Sequence, residues 1–154
     1  MKKILLAFIL SCWFNNSFSQ NDTTLINLGK AAEKNGDYVQ AVKYYSDAIE
    51  KCQPFTGELQ SSYIYRAGAK FTLNDFRGAF KDAKLALEVK VKSSKTYWIK
   101  HKDFFDNQTA ALAYYIMGIC SIKLGNKEEG CNYLSLAGEK GDKSAYEAIT
   151  TYCN

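Results

Sequence analysis

The stretch LINLGKAAEKNGDYVQAVKYYSDAI, from Leu25 to Ile49, decides the fold of this 154-residue chain. Apolar and small residues recur on one face of each of its two halves, which predicts two amphipathic helices. Between them, Gly36 can adopt the positive φ that ends one helix, and Asp37 can cap the next. We expect Gly29 to let the two backbones approach closely, with Leu28 and Tyr45 filling the space around that contact.

The same pattern returns twice along the chain. The second copy lies 38 residues after the first and pairs Gly29 with Ala67, Gly36 with Asn74, Tyr38 with Phe76, Ala41 with Ala79 and Ala48 with Ala86. Asn74 fits its position because Asn tolerates the left-handed turn conformation better than most residues. A third copy follows 51 residues later, with Gly118, Gly125, Gly130 and Ala137 at the corresponding places. The shared displacements predict a true repeat.

These residues resemble the tetratricopeptide repeat, a helix-turn-helix unit of about 34 residues. In the first copy Leu25 takes the place usually held by Trp, and the residues that match the family are Leu28, Gly29, Gly36, Tyr38, Ala41, Tyr45 and Ala48. The resemblance implies an all-α, right-handed superhelical array with units at about 22–55, 60–93 and 111–141. A C-terminal capping helix at about 142–152 would cover the last unit.

In that family the first helices of successive units line a concave groove that binds proteins or peptides. The resemblance therefore nominates, as partner-binding residues, Ile26, Lys30 and Glu33 in the first unit, Ile64, Gly68 and Phe71 in the second, and Tyr115, Ile119 and Ile122 in the third. The alternative is a closed module, in which the insertion or the terminal helix covers several of these positions. Exposed apolar surface of this extent favours the groove.

An insertion at 91–107 separates the second and third units. It interleaves aromatic residues, among them Tyr97 and Trp98, with lysines and with His101. One interpretation is a binding loop in which Tyr97 and Trp98 are aromatic anchors and the lysines form a cationic rim for an acidic or polyanionic surface. In the other, the aromatic residues pack on the repeats or lengthen the flanking helices. We favour packing, because aromatic residues usually find a core.

The N-terminus has the features of an export signal. Lys2 and Lys3 precede an apolar run from Ile4 to Leu10 that is too short to span a bilayer. In Ser17-Phe18-Ser19, small residues stand at the two positions that a signal peptidase reads. We interpret 1–19 as a cleaved signal peptide, so that the mature protein is periplasmic or secreted. The alternative is a lipoprotein anchored through Cys12.

Export would place four cysteines in a compartment that permits disulfides. Cys131 and Cys153 stand 11 residues before and 11 residues after Asp142. If an antiparallel hairpin turns near Asp142, the two sulfurs reach the same level, so we predict that they form a disulfide. Cys120 is expected to be a buried thiol, and Cys52 to be a thiol or to pair with another chain.

The sequence offers little for catalysis or for a cofactor. It has a single histidine and no nucleophile elbow, phosphate loop or metal-binding motif, and its aspartates, including Asp82, are interpreted as surface carboxylates. His101 with Cys52 is better explained as a solvated loop histidine than as a catalytic pair. Without Lys2 and Lys3 the formal net charge falls from +4 to +2, which argues against nucleic acid as a partner.

The sequence therefore predicts a non-catalytic interaction module or scaffold of the bacterial envelope, without metal or cofactor. Its partner would be a protein or peptide segment. The alternative is a structural accessory subunit that packs permanently in a larger envelope complex.

Overall fold

A computed structural model describes the backbone of residues 18–92 and 96–154 and the side chains of 23–92 and 107–154. Within these ranges the chain is helical and has no β-strand. The helices are α1 Phe18–Lys34, α2 Tyr38–Lys51, α3 Gly57–Thr72, α4 Phe76–Glu88, α5 Thr96–Lys123, α6 Lys127–Glu139 and α7 Lys143–Tyr152. The expected all-α repeat array is confirmed.

The turns inside the three units share one backbone geometry. Gly36, Asn74 and Gly125 all have positive φ, at 78°, 61° and 93°. Asp37 and Asp75 follow the first two of these residues, and each carboxylate accepts a hydrogen bond from a backbone N–H of the next helix at 2.9 Å. The positive φ ends one helix, and the capping side chain starts the next in the opposite direction. The predicted turn positions are therefore confirmed.

The core is built largely from alanine. In the first unit Ala41, Tyr45 and Ala48 are fully buried, and a second cluster joins α3, α4 and α5 through small residues such as Ala67 and Ala83. Alanine allows neighbouring helices to pack at short distance, while a few larger side chains fill the gaps between them. The repeated small residues thus have the packing role that their spacing predicts.

Leu28 departs from the expected packing. Its side chain is 42% exposed rather than buried between the first two helices. The equivalent residues of the later units contact the preceding unit: Arg66 bonds to Ser46 of α2, and Met117 lies in one cluster with Ala83 of α4. No described helix precedes α1, so no described helix offers Leu28 the contact that Arg66 and Met117 make with the preceding unit.

Helix α5 is the longest of the described helices, with 28 residues. It begins at Thr96, inside the insertion, so the backbone of 96–107 extends the first helix of the third unit instead of forming a loop. The side chains of Tyr97, Trp98 and His101 lie outside the described residues. Their contribution to binding or packing stays a prediction.

The predicted export signal falls almost wholly outside the described part of the chain. Residues 1–17, including Cys12, are not described, whereas Phe18 and Ser19 begin α1. Both the cleaved signal and the lipid anchor stay predictions. No helix among the described residues is long and apolar enough to cross a membrane.

Candidate protein-binding surface

The first helices of the units form a continuous row. Helix α1 contacts α3, α3 contacts α5, and α5 contacts α7 along their backbones. The second helices of the described chain lie farther apart: α4 and α6 meet through the rings of Phe80 and Tyr133, whose centres are 5.8 Å apart, without close approach of their backbones. Helices on the inner side of a curved array lie closer together than those on its outer side. The row formed by α1, α3, α5 and α7, which we call the inner row, is therefore the concave side.

The inner row buries part of the residues that the sequence nominates for binding. Ile26, Ile64 and Ile119 are only 5–6% exposed and belong to the core clusters. In this conformation their side chains support the helices and offer little area to a partner. Binding by any of them stays a prediction.

The other nominated residues with described side chains reach the surface. Lys30 is exposed, and the half-exposed ones are Glu33, Gly68, Phe71, Tyr115 and Ile122. Around Gly68 there is open space, because no atom would lie within 4 Å of a Cβ added there. The inner row consequently has an accessible strip that runs from α1 across α3 to α5.

The α1 end of this strip is polar. The Lys30 ammonium lies 4.3 Å from the centre of the Tyr65 ring, a cation–π contact between α1 and α3. Burial raises the pKa of Glu33 above its ordinary value of 4.5, although Tyr45 and Lys30 nearby oppose that rise. Burial also raises the pKa of Tyr45, and the Glu33 carboxylate raises it further. The Tyr45 hydroxyl makes no hydrogen bond of good geometry within the described chain.

The α5 end of the strip is apolar. Phe71, Tyr115 and Ile122 pack in one cluster with Ile149 and Tyr152 of α7. Burial is the main cause that raises the pKa of the Tyr115 hydroxyl, and the nearby carboxylate of Asp142 adds to it. Helix α7 therefore borders the strip and covers part of it, as the closed-module alternative expects.

The comparisons with solved structures agree with this fold. The first tetratricopeptide domain of Spaghetti (RPAP3), solved with the HSP90 peptide SRMEEVD, superposes with a TM-score of 0.67 at 20% identity, over 88% of this chain and 92% of that one. The N-terminal domain of stress-induced protein-1 from C. elegans also gives 0.67, at 18% identity, over 91% and 100%. The fold is that of the tetratricopeptide repeat. No protein-family model matches the sequence, and no curated protein does.

One feature of this helical array contradicts the sequence prediction. Asp82, expected to be a surface carboxylate, is buried in α4 with a side chain only 2% exposed. Its two oxygens accept hydrogen bonds from Arg66 Nε at 2.7 Å and Nη2 at 2.8 Å, and Lys70 Nζ lies 2.8 Å away. Arg66 Nη1 also donates to Ser46 Oγ at 3.0 Å. The network joins α2, α3 and α4 and so sets the position of α3 in the inner row.

The repeat register contains the signal for this network. Positions 66, 70 and 82 correspond to Leu28, Ala32 and Tyr44 of the first unit, at the displacement of 38 residues. Two cations and one carboxylate at places that the first unit fills with uncharged residues indicate a buried ion pair, because isolated buried charges are too costly. The three replacements thus indicate a charge pair between α3 and α4, whereas its burial depends on how α2, α3 and α4 pack.

Two predictions about the cysteines are confirmed, the disulfide and the buried thiol. Cys131 and Cys153 form a disulfide with Cα atoms 5.8 Å apart. Cys120 is fully buried, and burial raises the pKa of its thiol to about 12, which leaves it protonated and unreactive at neutral pH. Cys52 is half-buried at the end of α2. Within the described residues no group of His, Cys, Asp and Glu side chains could hold a metal ion.

Proposed function

We propose that this chain is a non-catalytic interaction module of the bacterial envelope that binds a protein or peptide segment along its inner row. The observation that carries the proposal is the accessible strip, polar at Lys30 and Glu33 and apolar at Phe71 and Ile122. Such a strip suits an extended or helical segment that presents charge at one end and apolar side chains at the other. The domain of Spaghetti, with its bound peptide, offers a precedent on the same fold.

The export of the protein rests on separate support. Lys2, Lys3 and the apolar run from Ile4 to Leu10 have the pattern of a signal peptide, and a disulfide persists best in an oxidising compartment. N-terminal sequencing of the exported protein should begin at Gln20. Incorporation of a radiolabelled fatty acid, lost in a Cys12→Ala variant, would instead establish the lipoprotein.

The binding proposal is tested with paired variants of the mature protein. Lys30→Glu reverses a charge on the inner row, and Lys43→Glu makes the same change on an exposed position of α2, outside that row. Gly68→Phe fills the open part of the strip, and Gly57→Phe places the same ring where a Cβ also meets open space. Each variant is immobilised and exposed to an envelope extract, and bound proteins are identified by mass spectrometry.

The expected result is one protein that binds the wild type and both controls but is lost at least tenfold with Lys30→Glu and Gly68→Phe. Equal capture by all variants would exclude the inner row as the binding surface. Trp98→Ala, measured in parallel, distinguishes binding by the insertion from binding by the strip. If only this variant fails to capture the protein, the contact lies in the 91–107 segment.

The exposed Leu28 favours a second candidate, a structural accessory subunit. Its apolar side chain lies on the α1 face that has no described neighbour, at the position where later units pack on their predecessor. A permanent partner could supply the missing helix. In that case Leu28→Glu would release the protein from its complex, whereas Lys30→Glu would not.

A further inference from the structure

Helices α6 and α7 form a hairpin, and α7 is linked to α6 at both of its ends. At the turn, Gly141 has a φ of 98°, Asp142 accepts a hydrogen bond from the Ser144 N–H at 2.9 Å, and the Tyr146 hydroxyl donates to the Gly138 carbonyl at 3.2 Å. At the far end, the disulfide joins Cys153, the residue that follows α7, to Cys131 near the start of α6. The disulfide thus closes the open end of this hairpin.

Apart from the disulfide and the Tyr146 hydrogen bond, α7 packs on the array through small or partly buried side chains. The helix has only ten residues, and both of its buried residues, Ala145 and Ala148, carry no more than a methyl group. Helices of this length are marginal on their own, and burial of a methyl group contributes little to their docking. Ile149 and Tyr152 add only partial burial. The covalent link therefore has a large share in keeping α7 in place.

Apolar side chains of α5 and α6 lie beneath the end of α7. Ile119 and Leu134 are buried in one cluster with Ala148, and Tyr115 and Ile122 pack against its edge. Separation of α7 would expose these side chains at the apolar end of the strip. The area accessible to a partner would grow toward the C-terminus.

We propose that the Cys131–Cys153 disulfide is a redox latch, and that its reduction frees α7 and uncovers the apolar side chains of α5. Both cysteines are half-exposed, so a dithiol reductant can reach them. One thiolate of the reductant attacks the sulfur of one cysteine, which breaks the S–S bond, releases the other cysteine as a thiolate and leaves a mixed disulfide. The second thiol of the reductant then displaces the attacked cysteine, and both cysteines end as thiols. The protein gains two electrons and two protons as two thiols, and the reductant leaves as its own disulfide.

The consequence for partner binding rests on the proposed function, but the latch itself does not. Hydrogen–deuterium exchange of the mature protein alone, oxidised and after dithiothreitol, measures it without a partner. The double variant Cys131→Ser with Cys153→Ser mimics the reduced state permanently, and Cys52→Ser is the control for losing a thiol elsewhere.

Reduction should accelerate exchange in 143–153 at least tenfold and raise the exchange of 115–123, with residues 25–88 unchanged. The double variant should behave like the reduced protein, and Cys52→Ser like the wild type. Unchanged exchange in 143–153 after complete reduction overturns the latch. Acceleration along the entire chain also overturns it, because the disulfide would then stabilise the fold as a unit. Neither result bears on the Lys30→Glu test of partner binding.

Discussion

Replacing Asp82 with alanine should lower the free energy of unfolding by about 3 kcal/mol, the low end of the range for breaking a buried ion pair. The Asp82 side chain is 2% exposed, and it balances the charges of Arg66 and Lys70 through three contacts of 2.7–2.8 Å. Its removal leaves both cations partly buried without a counter-charge. The loss of three charged contacts would suggest a larger loss of stability. In the folded protein, however, the cost of removing the carboxylate from water already offsets much of the energy of these contacts.

We expect the low end of that range of stability loss because both cations are partly exposed. The side chains of Arg66 and Lys70 are 17% and 21% exposed, so their charged ends can turn toward water after Asp82 is lost. In a chain of this size a loss of about 3 kcal/mol corresponds to a melting temperature lower by roughly 6–12 °C. The effect is large enough to measure reliably.

Urea unfolding followed by far-ultraviolet circular dichroism gives the free energy directly. Glu50→Ala removes an exposed carboxylate from α2 and should change stability by less than about 0.5 kcal/mol. A loss below about 1 kcal/mol for Asp82→Ala would refute the reasoning, since it would lie within the range of exposed ion pairs.

A triple variant distinguishes two causes of instability, the loss of electrostatic attraction and the burial of cations without a counter-charge. Arg66→Leu and Lys70→Ala copy the residues of the first unit, and Asp82→Leu removes the carboxylate with them. Buried ion pairs replaced by apolar residues of similar size often retain their stability. We expect the triple variant to be more stable than Asp82→Ala alone. If it is equally unstable, uncompensated charge is not the cause.

Three further predictions test the packing and the strip. Ala41→Leu should overpack a fully buried position and lower the free energy of unfolding by about 1–3 kcal/mol. Lys43→Leu, on the exposed face of the same helix, should lower it much less. Equal melting temperatures for the two variants would contradict the repeat register. Gly29→Ala should destabilise because its Cβ would collide with a buried tyrosine ring, while Gly68→Ala, facing open space, should stabilise by about 0.5–1 kcal/mol. Since burial raises the Glu33 pKa in the folded chain, the native state holds this proton more tightly than the unfolded state, and the contribution of Glu33 to stability should fall as pH rises above 4.5. Urea unfolding of the wild type and of Glu33→Gln at several pH values isolates this contribution. Stability should fall more, or rise less, with pH in the wild type than in the variant, and identical slopes would contradict the shift.

Much of the fold could be predicted because its signals are local. Gly36, Asn74 and Gly125 recur at the repeat displacements, and all three adopt the positive φ that the pattern requires. The disulfide followed from the symmetry of Cys131 and Cys153 about one turn, since an antiparallel hairpin brings equal distances from its turn to one level.

The candidate site was less predictable, because its accessible area depends on the neighbours of each helix. Ile26 and Lys30 lie on the same helix, and the family resemblance nominates both for binding. Yet Ile26 is buried in the core and Lys30 is exposed. Periodicity indicates which face of a helix is apolar. How far a neighbouring helix covers that face depends on distances between helices that are remote in sequence.

The opening stretch from Leu25 to Ile49 shows the same division. By itself it determined two helices, the turn at Gly36 and the burial of Ala41, Tyr45 and Ala48, because these features depend on φ preference, capping and close packing inside one hairpin. Only the tertiary structure decided that Leu28 is exposed, since its packing partner would belong to a preceding unit. Likewise, the burial of Asp82 needed Arg66 and Lys70 of the neighbouring helix, whose cations offset the cost of removing a carboxylate from water.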